Sequence, residues 1–104
     1  MPCEPQSIFP SEQKILARLG ERIKLARLRR GISAEVLAER SSISRTTLHR
    51  AEQGFPAVAI GTYLRIMAAL QLQEDFNLLA KDDLLGRRLQ DLELSKARKR
   101  SDRS

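Results

Sequence analysis

The sequence predicts an all-α domain of four or five helices. Three observations carry that expectation. Apolar residues recur at spacings of three and four, small polar residues and glycines stand where helices would start and stop, and no stretch alternates like a half-buried strand. At 104 residues the chain suits one compact domain. Leu, Ile and Ala supply most of the apolar side chains, with 4% aromatic residues and no Trp, as a small helical core requires.

Residues 1–10, with Pro2, Pro5 and Pro10, read as a disordered or extended arm. Ser11 offers an N-cap for a helix beginning at Glu12, with Leu16, Leu19, Ile23 and Ala26 as its buried stripe. Gly20 lies inside this pattern, so the segment is either one helix or two, over 12–19 and 21–30. Gly31 closes it, preceded by Arg27, Arg29 and Arg30, whose charges suit a helix C-terminus. Ser33 caps a second helix over 34–41, with Leu37 and Ala38 facing inward. Ser41, Ser42 and Ser44 around Ile43 mark a tight turn, and Ser44 caps a third helix over 45–53. Gly54 stops that helix and Pro56 prevents its resumption. A fourth helix over 60–72 carries Ile60, Tyr63, Leu64, Ile66, Met67 and Leu70. Its apolar positions cover more than one face, which predicts the central helix of the core. A short helical stretch over 75–80, a Leu-rich segment from Leu84 to Leu94 and a flexible basic tail over 95–104 complete the chain.

Nineteen Lys and Arg against thirteen Asp and Glu give a formal charge of +6, which favours a polyanionic partner. The last ten residues hold +4 of it, so the tail is either a simple solvated segment or a phosphate-following arm. Cys3 is the only cysteine, which excludes an intrachain disulfide and a cysteine metal cluster and fits a reducing cytoplasm. The first ten residues contain no apolar run of the secretory kind, and no stretch approaches the ~20 apolar residues that span a bilayer. Neither a metal nor another cofactor is expected. No catalytic set is expected either: His49 is the only histidine, Asp82 and Asp83 read as a solvated helix end, and no phosphate-cradling glycine loop is present.

Two short capped helices joined by a tight turn are the parts of a helix-turn-helix, here spanning 33–54. The third helix adds chemistry. At about 100° per residue, Arg45, Thr46, His49, Arg50 and Gln53 fall within an arc of about 140°. Leu48 and Ala51 lie on the opposite side with Thr47 and Glu52. One face is therefore entirely hydrogen-bonding, with two arginines and no acid. A major groove admits one helix and presents guanine O6 and N7, which Arg reads best, and thymine methyls, which Thr can meet. Glu52 and Arg27 sit at the edges of their core stripes, placed to form a buried ion pair between the first and third helices.

The segment LGERIKLARLRRGISAEVLAERSSISRTTLHRAEQG resembles the XRE, or Cro/C1-type, helix-turn-helix family, and the likeness continues through TYLRIMAALQL, covering about residues 19–72. The resemblance implies a lambda-repressor-like five-helix domain within 11–80 that binds a palindromic double-stranded DNA operator as a homodimer and represses transcription. It places base reading on Arg45, Thr46, His49 and Arg50, backbone contact on Ser33, Ser44, Thr47 and Gln53, and the structural ion pair on Arg27 and Glu52. Three positions depart from the family pattern. Ala34 replaces a phosphate-contacting Gln, Ser42 replaces the turn Gly and so requires a left-handed backbone or a reshaped turn, and Ala59 replaces a Ser or Asp cap.

The stretch DDLLGRRLQDLELSKARKR is similar to the extension of HipB-like antitoxins, which implies repression of the chain's own operon and binding of a HipA-like kinase toxin. Two other readings stand beside that one: an antitoxin that mainly clamps a partner, and a stand-alone phage-type repressor. Leu25 and Leu28 lie off the first helix's core stripe, and Leu85, Leu89 and Leu92 form a second stripe, open to dimerisation, partner docking or packing on the core.

Overall fold

The computed structural model describes residues 8–102. Of the arm expected over residues 1–10, residues 1–7 with Cys3 lie outside the described residues, as do Arg103 and Ser104, while Pro10 already belongs to the first helix. In order the elements are α1 (Pro10–Arg29), α2 (Ala34–Arg40), α3 (Arg45–Glu52), α4 (Ile60–Ala69), a 3-10 helix (Gln73–Leu78) and α5 (Leu84–Asp102), with no strand among the described residues.

The first helix departs from its sequence reading at its start and decides the alternative left open at Gly20. It begins at Pro10 rather than after Ser11, because Pro at N1 is already set for the helix and the Glu12 carboxylate accepts from the Phe9 N–H at 2.9 Å. It also runs unbroken through Gly20. A Cβ on Gly20 would stand 2.5 Å from the Glu52 carbonyl oxygen and 2.7 Å from that of Ala51. The glycine is there to let the end of α3 lie against α1, and that packing offsets its poor helix propensity.

Ser33 and Ser44 cap α2 and α3, their Oγ atoms accepting from the N–H groups of Val36 at 3.2 Å and Thr47 at 3.1 Å. All of α1 to α4 end in the same way. The first residue past the cap is left-handed (Gly31, Ser42, Gly54, Gln71), and the next N–H reaches back to a carbonyl in the last turn. At α2 the bonds are Ser42 N–H to Glu39 O and Ile43 N–H to Ala38 O, both 3.0 Å. Ser42 thus adopts the left-handed conformation, at φ 57°.

Ile23 and Ala26, Leu37 and Ala38, Leu48 and Ala51, and Tyr63, Ile66, Met67 and Leu70 form the core. Within this core α3 lies against both α1 and α2, while α4 packs on α2 and the 3-10 helix. α4 supplies the largest share of the core, as expected, but buries only one of its apolar faces. Its second apolar face, Ile60 and Leu64, is exposed. The short helical stretch begins at Gln73, two residues earlier than expected, and is of the 3-10 kind.

The segment after residue 83 also differs from its expectation. Asp83 caps α5, accepting from the Gly86 N–H at 2.9 Å, and the helix continues to Asp102. The basic stretch over 95–102 is its last two turns, not an irregular tail. Lys, Arg and Ala favour the helix, and Lys96 pairs with Glu93 one turn back at 3.6 Å.

Two stability effects are expected. Gly20→Ala will lower stability by about 1–3 kcal/mol despite alanine's better helix propensity, because the new methyl must displace α3 backbone; chemical denaturation midpoints will show it. Ser41 is buried and its hydroxyl has no hydrogen-bond partner. Ser41→Ala should therefore raise the unfolding free energy by roughly 1 kcal/mol, read in the same assay.

Candidate nucleic-acid interface

The recognition surface begins with how α3 is anchored. Leu48 and Ala51 are fully buried, which turns the opposite side of the helix to solvent. Arg45, Thr46, His49, Arg50 and Gln53 are all exposed there, and Thr47 is half-buried at the margin.

The C-terminal end of α3 is held by charge. Arg27 Nε donates to Glu52 Oε2 at 2.8 Å and Nη2 donates to Oε1 at 3.3 Å, with the two side chains only 10% and 7% exposed. The third arm of the guanidinium, Nη1, donates to the Ile32 carbonyl at 3.1 Å. The pair therefore joins three places: the core face of α1, the end of α3 and the turn after α1. Glu52 stands near the negative end of its own helix dipole, an unfavourable position that the buried arginine offsets. Gly54, at φ 75°, follows at once, and a Cβ there would strike the Leu16 carbonyl. Gln13 Nε2 donates to the Gly54 carbonyl at 3.0 Å, which ties the same junction to the start of α1.

Beyond Gly54, the Tyr63 hydroxyl donates to the Phe55 carbonyl at 3.0 Å and fastens the α3–α4 loop to α4. Burial raises the Tyr63 phenol above its ordinary value of 10.0, so it remains a donor. The α4 N-cap, Ala59, makes no side-chain cap.

The structure places the residues read from sequence as backbone contacts in two groups. Gln53 is exposed at the C-cap of α3. Ser33, Ser44 and Thr47 are engaged locally: the two serines cap their helices, and the Ser44 hydroxyl also donates to Thr47 Oγ1 at 2.9 Å. Sequence reading missed one participant. Arg45 Nη1 donates to Glu35 Oε1 at 3.0 Å, so an acid from the first turn of α2 stands beside a face that is acid-free along α3 itself. Only the crossing of α2 and α3 brings these residues together, and no spacing along one helix signals it.

A fixed helix with two outward arginines, two hydroxyl or imidazole neighbours and no buried titratable group on that face is suited to reading hydrogen-bond acceptors. Arg27→Ala or Glu52→Ala is expected to cost on the order of 3 kcal/mol in thermal or denaturant unfolding, since each strands a buried charge. An unchanged melting temperature in both variants would contradict this account of the junction.

Comparison with known families agrees with that geometry: the family profile described as a helix-turn-helix domain matches residues 18–76. No curated protein matches the chain.

Proposed function

The chain belongs to the helix-turn-helix domain family, of the XRE and Cro kind, and on that basis we propose that it is a sequence-specific transcriptional repressor. The observation that carries the reading is the exposed arc of Arg45, Thr46, His49, Arg50 and Gln53 on a helix whose other face is locked in the core. In this reading α3 lies in the major groove. Arg45, Thr46, His49 and Arg50 meet base edges, while Ser33, Ser44, Thr47 and Gln53 lie along the phosphates. One recognition helix covers only a few base pairs, so useful specificity calls for two copies on a palindromic operator about one helical turn apart. The exposed apolar surface of α4 (Ile60, Leu64) and of the segment after it supports a homodimer.

A second reading adds a partner. Leu25 and Leu28 on α1 are exposed and lie away from the recognition arc, a surface suited to an antitoxin that also clamps a HipA-like kinase toxin. Co-purification with the product of a neighbouring kinase gene, lost in Leu25→Asp/Leu28→Asp, tests it.

The repressor reading is tested by binding to the operator and to single-base variants at two salt concentrations. Arg45→Ala or Arg50→Ala should each cost ~1–3 kcal/mol and relax preference at one base pair per half-site. Removing residues 95–104 should weaken all sequences about equally and flatten the salt dependence. Unchanged base preference in both arginine variants, or a wild-type affinity indifferent to salt, would defeat the reading.

A further inference from the structure

Among the elements described, α5 stands apart because no other element packs closely against it. It is 19 residues long, about 28 Å at 1.5 Å per residue, and none of its described residues is buried. The Cα radius of gyration is 19.8 Å, where a compact chain of this length would have about 13 Å, so the helix projects from the domain. Helices in water owe most of their stability to a packed apolar face rather than to propensity. The apolar face of α5 is a single stripe, Leu85, Leu89 and Leu92, exposed by 69%, 54% and 58%.

We propose that this stripe is the seam of a parallel two-helix coiled coil formed with α5 of a second copy of the chain. The spacing of four and then three is that of consecutive seam positions, with Leu85 at d, Leu89 at a and Leu92 at d. Lys96 takes the next a position, where a single lysine sets register and strand number at some cost in stability. The flanking charges select the orientation. Arg88 stands at g and Glu93 at the following e, the two positions that face each other across a parallel pair. In a parallel pair Arg88 meets Glu93 of the second copy, twice by symmetry. In an antiparallel pair Arg88 would face Ser95 and Glu93 would face Gly86, and neither charge would gain a partner.

The seam is short, at the small end of stable interfaces, so pairing is weak in isolation and strengthens when both domains occupy one operator. Its two-fold axis runs along the helices and relates two recognition helices as a palindrome requires. That last step rests on the repressor reading; the pairing itself does not.

Pairing is read on the full chain carrying Cys3→Ser, with one cysteine added for oxidative cross-linking. Leu85→Cys and Leu89→Cys should form covalent dimers readily, whereas Leu94→Cys, on the outer side of the helix, should not. Light scattering should show Leu89→Glu and Arg88→Glu weakening the dimer by tenfold or more, and Arg88→Glu/Glu93→Arg restoring it. Because no described α5 residue is buried, these variants leave the fold intact, which circular dichroism checks. Equal cross-linking at Leu94 overturns the proposal. So does a dimer that survives Leu89→Glu, which would assign pairing to α4, or a failure of the charge reversal to rescue. A wild type that stays monomeric up to millimolar concentration overturns it as well, and protection of the α5 leucines in that monomer would show the helix folded onto its own domain. Operator binding that persists through any of these results leaves the repressor reading standing.

Discussion

The buried contact between α1 and the end of α3 governs how the recognition helix is presented. Two conditions make it possible. Gly20 removes the side chain that would hold the two backbones apart, and Arg27 supplies a charge that Glu52 can meet without water. Neither works alone. Without the close approach the guanidinium would have to reach a carboxylate in solvent, where an ion pair is worth little. Without the arginine, a carboxylate at the negative end of a helix would be buried unpaired. The third arm of Arg27, on the Ile32 carbonyl, carries the same constraint to the turn that launches α2.

The helix ends extend that order across the domain. Each of α1 to α4 closes on a left-handed residue, and the residues that follow three of them, Ile32, Ile43 and Leu72, return to the core. The short helices α2 and α3 are too brief to be stable alone, so their capped starts and closed ends, together with core burial, define them. Ser42 carries the cost of a left-handed side-chain residue between them, held there by the backbone bonds of the turn, by the burial of Ser41 and by the partial burial of Ile43.

What the domain leaves outside is divided by chemistry. The exposed side of α3 is polar and cationic, with Glu35 restraining one of its two arginines. The α4 surface carries an exposed apolar pair, Ile60 and Leu64, and α5 carries an exposed leucine stripe, Leu85, Leu89 and Leu92, among its charged residues. A charged face and an apolar face on separate elements allow contact with a polyanion and contact with protein to occur together, without competition for the same side chains.

Much of this organisation could be read from sequence, and the reason is locality. Ser33 and Ser44 mark helix starts because a cap bonds its own chain three residues on, and the arc on α3 follows from 3.6 residues per turn. The Arg27–Glu52 pair was also accessible, since both residues sit at the edge of a periodic stripe. Readings that depended on what lies opposite were mostly incomplete. Gly20 left one helix or two open because its α3 neighbour is invisible along α1, and Ser11 read as a cap although Pro10 and Glu12 form an earlier first turn. The spread of apolar residues on α4 marked a central helix, but which of them would be covered within the domain was not legible, and Ile60 and Leu64 are not. Glu35 was missed for the same reason. The sequence by itself determined where the helices begin and which face of α3 is free, because those depend on neighbours a few residues away. The tertiary structure alone decided which apolar face of α4 is covered, where Gly20 is needed and which acid meets Arg45, because those depend on residues brought together only by the crossing of helices.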